Sequence, residues 1–135
     1  MSSPADTESG IPPIQVAIIP VTSFQQNCSL IWNPTTGHGV VVDPGGDVEI
    51  ILETVAAYKV KVERILLTHG HLDHVGGAAD LALALKVPVE GPHEADRPLL
   101  ARVEEQAVKF GVAGLKSVTP DRWLDEGETV RIADR

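Results

Sequence analysis

The sequence predicts an α/β fold built on a mixed β-sheet, and three features lead to this prediction. Strand-like segments come first: IQVAIIPVT from Ile14 to Thr22, CSLIW from Cys28 to Trp32, and VVVD from Val40 to Asp43. Helical and strand-like segments then alternate along the chain, an order typical of α/β proteins. The third feature is a short, continuously apolar run, Ile65-Leu66-Leu67, which is expected for a central strand buried on both faces.

The elements before this central strand follow from turn and helix signals. The segment NPTTG, from Asn33 to Gly37, has turn chemistry and predicts an antiparallel hairpin between the second and third strands. A helix should begin after Asp47, a good N-cap residue. Its apolar positions have helical spacing: Val48, Ile51, Leu52 and Val55.

The elements after the central strand alternate in the same way. Six segments are expected in order: a loop from Thr68 to Val75, a helix from Gly77 to Lys86, a strand from Val87 to Glu90 closed by Gly91-Pro92, a mostly helical segment from about Glu94 to Gly111, a turn from Leu124 to Gly127, and the start of a strand at Val130 and Ile132.

Length and charge exclude several classes of protein. The chain has 135 residues, 19 acidic and 11 basic, with a formal net charge of -8. This length fits one domain with a real core. Without a basic run, a nucleic-acid or anionic-membrane surface is not expected. No stretch approaches the roughly 18 apolar residues of a membrane helix.

Residues 1–13 are expected to form a loose polar tail, with the domain at 14–135.

The cellular compartment follows from two further features. Residues 1–10 have neither a basic start nor an apolar core, so they do not predict a secretion signal. The single cysteine, Cys28, excludes an internal disulfide and a multi-cysteine metal site. A cytoplasmic protein is therefore expected.

The segment THGHLDH, from Thr68 to His74, carries the chemistry. Three of the five histidines and one carboxylate fall within six residues, directly after the buried strand. Side chains two apart on extended backbone point the same way, so His69 and His71 can converge on one cation. Asp73 and His74 lie at the turn into the next helix and can aim at a second point nearby.

Imidazole and carboxylate together suit Zn, Fe(II), Mn or Ni, and spacing does not choose among these metals. The alternative is a polar loop whose imidazoles cap a helix and face water. Three neutral imidazoles in one short loop favour the metal site over that alternative.

The motif His69-x-His71-x-Asp73-His74 resembles the signature of the metallo-β-lactamase superfamily. Further segments are similar to its short bacterial glyoxalase II-like hydrolases, and the resemblance runs from about Ile14 to Ile132. These segments are PVTSFQQNC (residues 20–28), VDPGG (42–46), LTHGHLDHVG (67–76) and TPDRWL (119–124).

The resemblance implies a fold, ligands and a reaction. The fold would be the N-terminal half of an αββα sandwich. His69 and His71 would bind a first divalent metal, and Asp73 and His74 a second, with Zn favoured over Fe or Mn. In such sites a metal-bound hydroxide attacks the substrate carbonyl. Asp73 would also orient that nucleophile. The implied reaction is hydrolysis of a small-molecule thioester such as S-lactoylglutathione.

The chain also departs from the family pattern. Complete members supply a later histidine in a Gly-His-rich segment, a bridging aspartate and a final histidine, and nothing after His74 fits them. Each metal would keep two protein ligands, fewer than the three or four of a tight site. The expectation is therefore a domain truncated at its C-terminal end and inactive alone.

Other residues are weaker candidates. Asp43 could hold a ligand imidazole in place by a hydrogen bond, the alternative being a turn-capping role. Asn27 and His93 could line a substrate cleft, although an ordinary turn residue and a surface histidine are the simpler interpretations. Cys28 is expected to be inert core, His38 a hairpin residue, and the two tryptophans packing residues: Trp32 and Trp123.

Three functional hypotheses remain open. The first is a glyoxalase II-like hydrolase. The second keeps the fold but changes the reaction to that of a sulfur dioxygenase, which oxidises glutathione persulfide at a single iron, or of a lactonase or β-lactamase. The third is a non-enzymatic half-domain that binds metal weakly or assembles with a partner. Such a half-domain would expose an apolar sheet face and could form a homo-oligomer.

Overall fold

A computed structural model describes residues 14–22, 25–70, 72–111 and 117–124 of the chain. Its centre is a six-stranded sheet in which the strands lie side by side in chain order. The strands are β1 (Gln15–Val21), β2 (Gln26–Trp32), β3 (His38–Val42), β4 (Lys61–Leu66), β5 (Val89–His93) and β6 (Arg122–Leu124). The strands β1, β2 and β3 pair antiparallel, and β3 to β6 pair parallel. The predicted mixed sheet and hairpin are confirmed.

Helices connect the parallel strands. They are α1 (Val48–Ala57), the single turn α2 (Leu72–Val75), α3 (Ala78–Leu85), the short α4 (Arg97–Leu100), which follows a 3-10 turn at Glu94–Asp96, and α5 (Val103–Phe110). No helix in the described ranges has the length and apolar character needed to cross a membrane.

The hydrophobic core lies between these helices and one face of the sheet. Alternate strand residues point into it, as the period of two in a strand requires. Its fully or nearly fully buried members include Val21, Cys28, Leu30, Val41, Ile65, Leu67 and Val89 from the strands and the residues following them, and Ile51, Val75, Ala78, Leu81, Leu100 and Val103 from the helical region. This packing orders the strand ends that carry the motif.

The opposite face of the sheet is apolar at the β1 edge and charged across the parallel strands. At the β1 edge it exposes Val16 and Ile18, each at slightly more than half of its surface. Across the parallel strands, the Arg64 and Arg122 guanidinium groups lie 3.8 Å and 3.5 Å from the Glu90 carboxylate. The predicted self-association through an apolar face remains a prediction.

Asp47 precedes α1 as predicted, but it does not cap the helix. Its backbone is left-handed, with φ 50°, and its side chain makes no capping hydrogen bond. The carboxylate instead accepts a hydrogen bond from the Thr22 amide at 2.6 Å. Asp47 therefore links the end of β1 to the start of α1, because its Oδ2 accepts the hydrogen bond from Thr22.

Several boundaries differ from the predicted ones. Strand β2 begins at Gln26 rather than Cys28, and β3 spans His38–Val42 rather than Val40 to Asp43. The predicted loop before α3 contains the helical turn α2. Strand β5 does not stop at Glu90 but continues through Gly91-Pro92 to His93. A Cβ on Gly91 would lie 2.4 Å from the Leu67 carbonyl oxygen, so glycine lets the strand run on against that backbone. Leu124 ends strand β6 rather than opening a turn. The predicted turn beyond it and the strand at Val130 and Ile132 lie outside the described residues.

Candidate metal centre

The candidate site lies at the edge where the parallel strands end. Asp43 directly follows β3, and Thr68 and His69 come just after β4. Because these two strands are parallel, their carboxyl ends meet at the same edge of the sheet. Strand β2 is antiparallel to β3, so its first residue, Gln26, lies at that edge too. The topology thus gathers residues from three separate segments.

Asp43 is the centre of the hydrogen-bond network. Its backbone is left-handed, with φ 54°, and the residue is 6% exposed. The carboxylate accepts the Thr68 amide at 2.8 Å through Oδ1 and the Thr68 hydroxyl at 2.5 Å through Oδ2. His74 Nδ1 lies 3.0 Å from the same Oδ2. Three donors therefore surround one buried carboxylate.

These contacts determine which imidazole nitrogens carry protons. An ionised carboxylate only accepts hydrogen bonds, so His74 Nδ1 is the protonated nitrogen. The single Thr68 hydroxyl proton is given to Asp43. His69 Nδ1, which lies 2.9 Å from Thr68 Oγ1, must then donate to that oxygen. In the neutral form of each imidazole, this pattern leaves the lone pair on Nε2, the nitrogen available to a metal.

The two imidazoles also face a common region. Their ring centroids are 4.9 Å apart, with the planes tilted by 54°. Asp43, His69 and His74 each offer a ligand atom, and these atoms lie within 4.8 Å of one another. The donor set fits a divalent metal of the Zn, Fe or Mn type. Since the Asp43 carboxylate already accepts three hydrogen bonds, it suits the orientation of ligands better than direct ligation.

Gln26 adds an amide beside the same imidazole. Its Nε2 donates to the Asn27 carbonyl at 2.7 Å and lies 3.5 Å from His74 Nδ1. Its Oε1 is buried and has no hydrogen-bond partner within the described part of the chain. A buried acceptor without a donor is costly, so this oxygen is a place where a donor group could bind.

The predicted ligands are only partly within the described region. The structure brings His69 and His74 together, whereas His71 lies outside the described residues. Asp73 lies in the single turn α2, but its side chain is not described. The assignment of the four residues as metal ligands therefore stays a prediction.

Asn27 and His93, the two candidates for a substrate cleft, are both exposed. Asn27 is exposed on β2, and its neighbour Gln26 is the residue that contacts His74. His93 is exposed at the end of β5, where its Nδ1 accepts the Ala95 amide at 3.0 Å and caps the 3-10 turn. Their roles in a substrate cleft stay predictions.

Thr68 and Gln26 contact the candidate site although the sequence did not single them out. Each stands next to a residue that was considered, His69 or Asn27. The available signal for Thr68 is its position between a buried strand and a histidine motif. For Gln26 there is none, because its contact depends on the antiparallel register of β2.

Cys28 lies in the core beneath this network. It is fully buried on β2. Burial, and secondarily the negative charge of Asp43, raises the pKa of the thiol to about 12. The thiol therefore stays neutral at physiological pH, as expected of a core cysteine.

Comparison with known proteins places this geometry in a family context. The model of the metallo-β-lactamase superfamily matches residues 21–134. The chain is 41% identical over 120 residues to a hydroxyacylglutathione hydrolase, GloC, of Haemophilus influenzae, covering 88% of this chain and 56% of that protein. It is 31% identical to an uncharacterised protein of Aquifex aeolicus, covering 88% and 55%. The chain thus spans about half the length of these curated relatives.

Solved structures agree with the fold. The crystal structure of TTHA1623 in a di-iron-bound form matches with a TM-score of 0.75 at 33% identity, covering 85% of this chain and 57% of that one. The B3 metallo-β-lactamase BLEG-1 matches with a TM-score of 0.75 at 25% identity, covering 89% and 57%. With the family model matching most of the sequence, the chain belongs to the metallo-β-lactamase superfamily.

Proposed function

We propose that this chain carries the first metal-binding motif of a metal-dependent thioester hydrolase acting on acyl-glutathione conjugates such as S-lactoylglutathione. The observation that carries the proposal is the network around Asp43, which leaves Nε2 of His69 and His74 as the lone-pair nitrogens. The similarity to a hydroxyacylglutathione hydrolase supports this substrate class.

His69 and His71 would hold one divalent metal, and Asp73 and His74 a second. A metal held there would act as a Lewis acid and lower the pKa of a bound water. Zn is the ion proposed, with Fe or Mn as alternatives, and a relative of similar fold binds two irons.

The residues of this chain would prepare the site before substrate arrives. Asp43 would orient the His74 imidazole directly and the His69 imidazole through the Thr68 hydroxyl. Asp73 would accept a proton from the attacking water and direct its lone pair at the thioester carbonyl.

The catalytic unit would be longer than this chain, with residues 14–135 as its metallo-β-lactamase-like domain in the cytoplasm. The reason is that the curated relatives are nearly twice as long as the matched region. The remaining ligands and the groups that bind glutathione would come from outside these 135 residues.

The test is hydrolysis of S-lactoylglutathione by the full-length protein that contains this chain. We expect His71→Ala to lower kcat/KM by at least about 100-fold, since metal binding would be impaired. The matched control is His38→Ala. His38 lies at the start of β3, and its Nδ1 is 3.7 Å from the Glu63 carboxylate on β4. Equal activity in both variants would reject the proposal.

A second assay separates hydrolysis from oxidation. Oxygen uptake with glutathione persulfide, without thioester cleavage, would assign the site to a sulfur dioxygenase instead. Thioester cleavage without oxygen uptake would support the hydrolase.

A further inference from the structure

The loop that carries the histidines is fixed from a distant part of the chain. Gly70 lies between His69 and His71, and its amide donates a hydrogen bond to Asp96 Oδ2 at 2.9 Å. Asp96 is 26 residues further along, at the end of the 3-10 turn that follows β5. Because β4 and β5 are parallel, both segments leave the sheet at the same edge.

Close packing accompanies this hydrogen bond. Gly70 is buried, and a Cβ at this position would lie 2.8 Å from the Asp96 carbonyl oxygen and 3.0 Å from its Cβ. It would also lie 3.2 Å from Leu99 Cβ. The loop backbone is therefore pressed against the turn and α4, and only glycine permits this approach.

We propose that Asp96 is a positioning residue for the candidate metal centre. Its carboxylate fixes the Gly70 amide, and with it the peptide that joins His69 to Gly70, so that the His69 imidazole keeps its direction. A hydrogen bond from an amide to an ionised carboxylate is stronger than one between neutral groups. The inference rests on the proposed function, because it assumes that the loop binds a metal.

Asp96 acts on the loop and not on the metal. Its carboxylate accepts a hydrogen bond from a backbone amide of the loop. The sequence had excluded it as a metal ligand for lack of a matching motif, and its position in the fold supplies a different role.

Three variants test the proposal. Asp96→Ala removes the acceptor, and Asp96→Asn removes the charge but keeps an oxygen that can accept the Gly70 amide. The control is Glu94→Ala, which removes a carboxylate from the same turn. Glu94 is exposed, and its carboxylate lies 3.1 Å from the Arg97 guanidinium.

Two readouts are measured on the purified full-length protein that contains this chain: the affinity for Co²⁺ and Zn²⁺, and hydrogen exchange of the Gly70 amide by NMR. In Asp96→Ala we expect metal affinity to fall by about tenfold, with faster exchange at Gly70. Asp96→Asn should retain most of the affinity. Glu94→Ala should match the wild type in both readouts.

Different outcomes reject different statements. Wild-type affinity and wild-type Gly70 exchange in Asp96→Ala would overturn the role of Asp96 and leave the metal site standing. Absence of metal binding by the wild-type full-length protein would overturn both the metal role of Asp96 and the proposed metal centre. Equal losses in Asp96→Ala and Glu94→Ala would show a general effect of charge and would also reject the proposal.

Discussion

At the scale of single residues, Asp43 links the chemistry to the backbone. Its left-handed conformation lets the chain turn out of β3 while the carboxylate points back towards Thr68 and His74. Asparagine and aspartate tolerate this conformation better than most residues. The same side chain thus satisfies a loop amide and sets the protonation of two imidazoles.

Replacing Asp43 with Asn should keep the hydrogen bond to the loop amide but disturb the contacts that orient the imidazoles. The amide oxygen can still accept the Thr68 N–H, but its NH₂ group would face the Thr68 hydroxyl and His74 Nδ1–H, which are donors. We expect about 10- to 100-fold weaker Zn²⁺ binding with the fold retained, measured by competition with a chromophoric chelator and by circular dichroism.

The control for this substitution is Asp121→Asn. Asp121 Oδ2 also accepts a backbone amide, that of Val89 at 2.7 Å, but at strand β6. An equal loss of metal affinity in both variants would contradict the specific role of Asp43.

Cys28 makes stability depend on pH in the alkaline range. Burial, then the Asp43 charge, raises the thiol pKa from 9.0 to about 12 in the folded state. The thiol's contribution to stability is fully present below pH 9 and is lost as pH rises towards 12, since the unfolded chain releases the proton first.

We therefore expect the unfolding free energy of the wild type to fall by about 1 kcal/mol per pH unit above pH 9 from this group. Urea unfolding of wild type and Cys28→Ala at several alkaline pH values checks this. The prediction would be contradicted if the unfolding free energies of the two proteins changed equally with pH.

At the scale of elements, helix α3 shows how the core side of the site is built. Its residues AADLALAL are apolar almost all round, so the sequence does not define one buried face. In the structure Leu81 is fully buried and Leu83 is 77% exposed. The packing of α3 against α1 and β4 makes this choice.

The two leucines form a matched pair. Leu81→Ala should lower the unfolding free energy by about 2–5 kcal/mol because it leaves a cavity in the core. Leu83→Ala should change it by less than about 0.5 kcal/mol, as is usual for surface substitutions. Urea denaturation measures both, and similar losses would contradict the assigned orientation of α3.

At the scale of the whole molecule, metal binding at the motif should be coupled to the stability of the fold. A ligand that binds only the folded state stabilises it by about 2.7 kcal/mol at a concentration of 100 times Kd. Since the candidate ligand imidazoles are oriented by Asp43, a residue distant from them in the unfolded chain, Zn²⁺ should favour the folded state.

In the full-length protein that contains this chain, we expect Zn²⁺ to raise the unfolding temperature of the wild type and of His38→Ala, and to have little effect on His69→Ala. Thermal unfolding with and without Zn²⁺ measures this. Metal content per chain, with the intact mass from the same sample, gives the stoichiometry. An equal shift in His69→Ala would place the bound metal elsewhere.

Much of the fold could be predicted because it depends on local patterns. The turn segment at Asn33 to Gly37 and the apolar run at Ile65 to Leu67 have the roles that their composition predicts. Asp47 was a good N-cap by type, yet its carboxylate binds Thr22, because a strand end 25 residues away competes for it. The predicted end of strand β5 at Glu90 was wrong, because the strand continues through Gly91 against the backbone of Leu67.

By itself, the sequence determined the mixed sheet and the histidine motif, since periodicity and spacing along the chain express them, and its motifs carried the resemblance to the family. Only the tertiary structure decided which groups act on that motif. Asp43, Thr68 and Gln26 meet His69 and His74 because parallel and antiparallel strands end at one edge of the sheet. Asp96 reaches Gly70 for the same reason. The contacts of Asp43, Gln26 and Asp96 join residues far apart in sequence. The sequence had suggested one of them, that of Asp43 with an imidazole, and no local pattern encodes the other two.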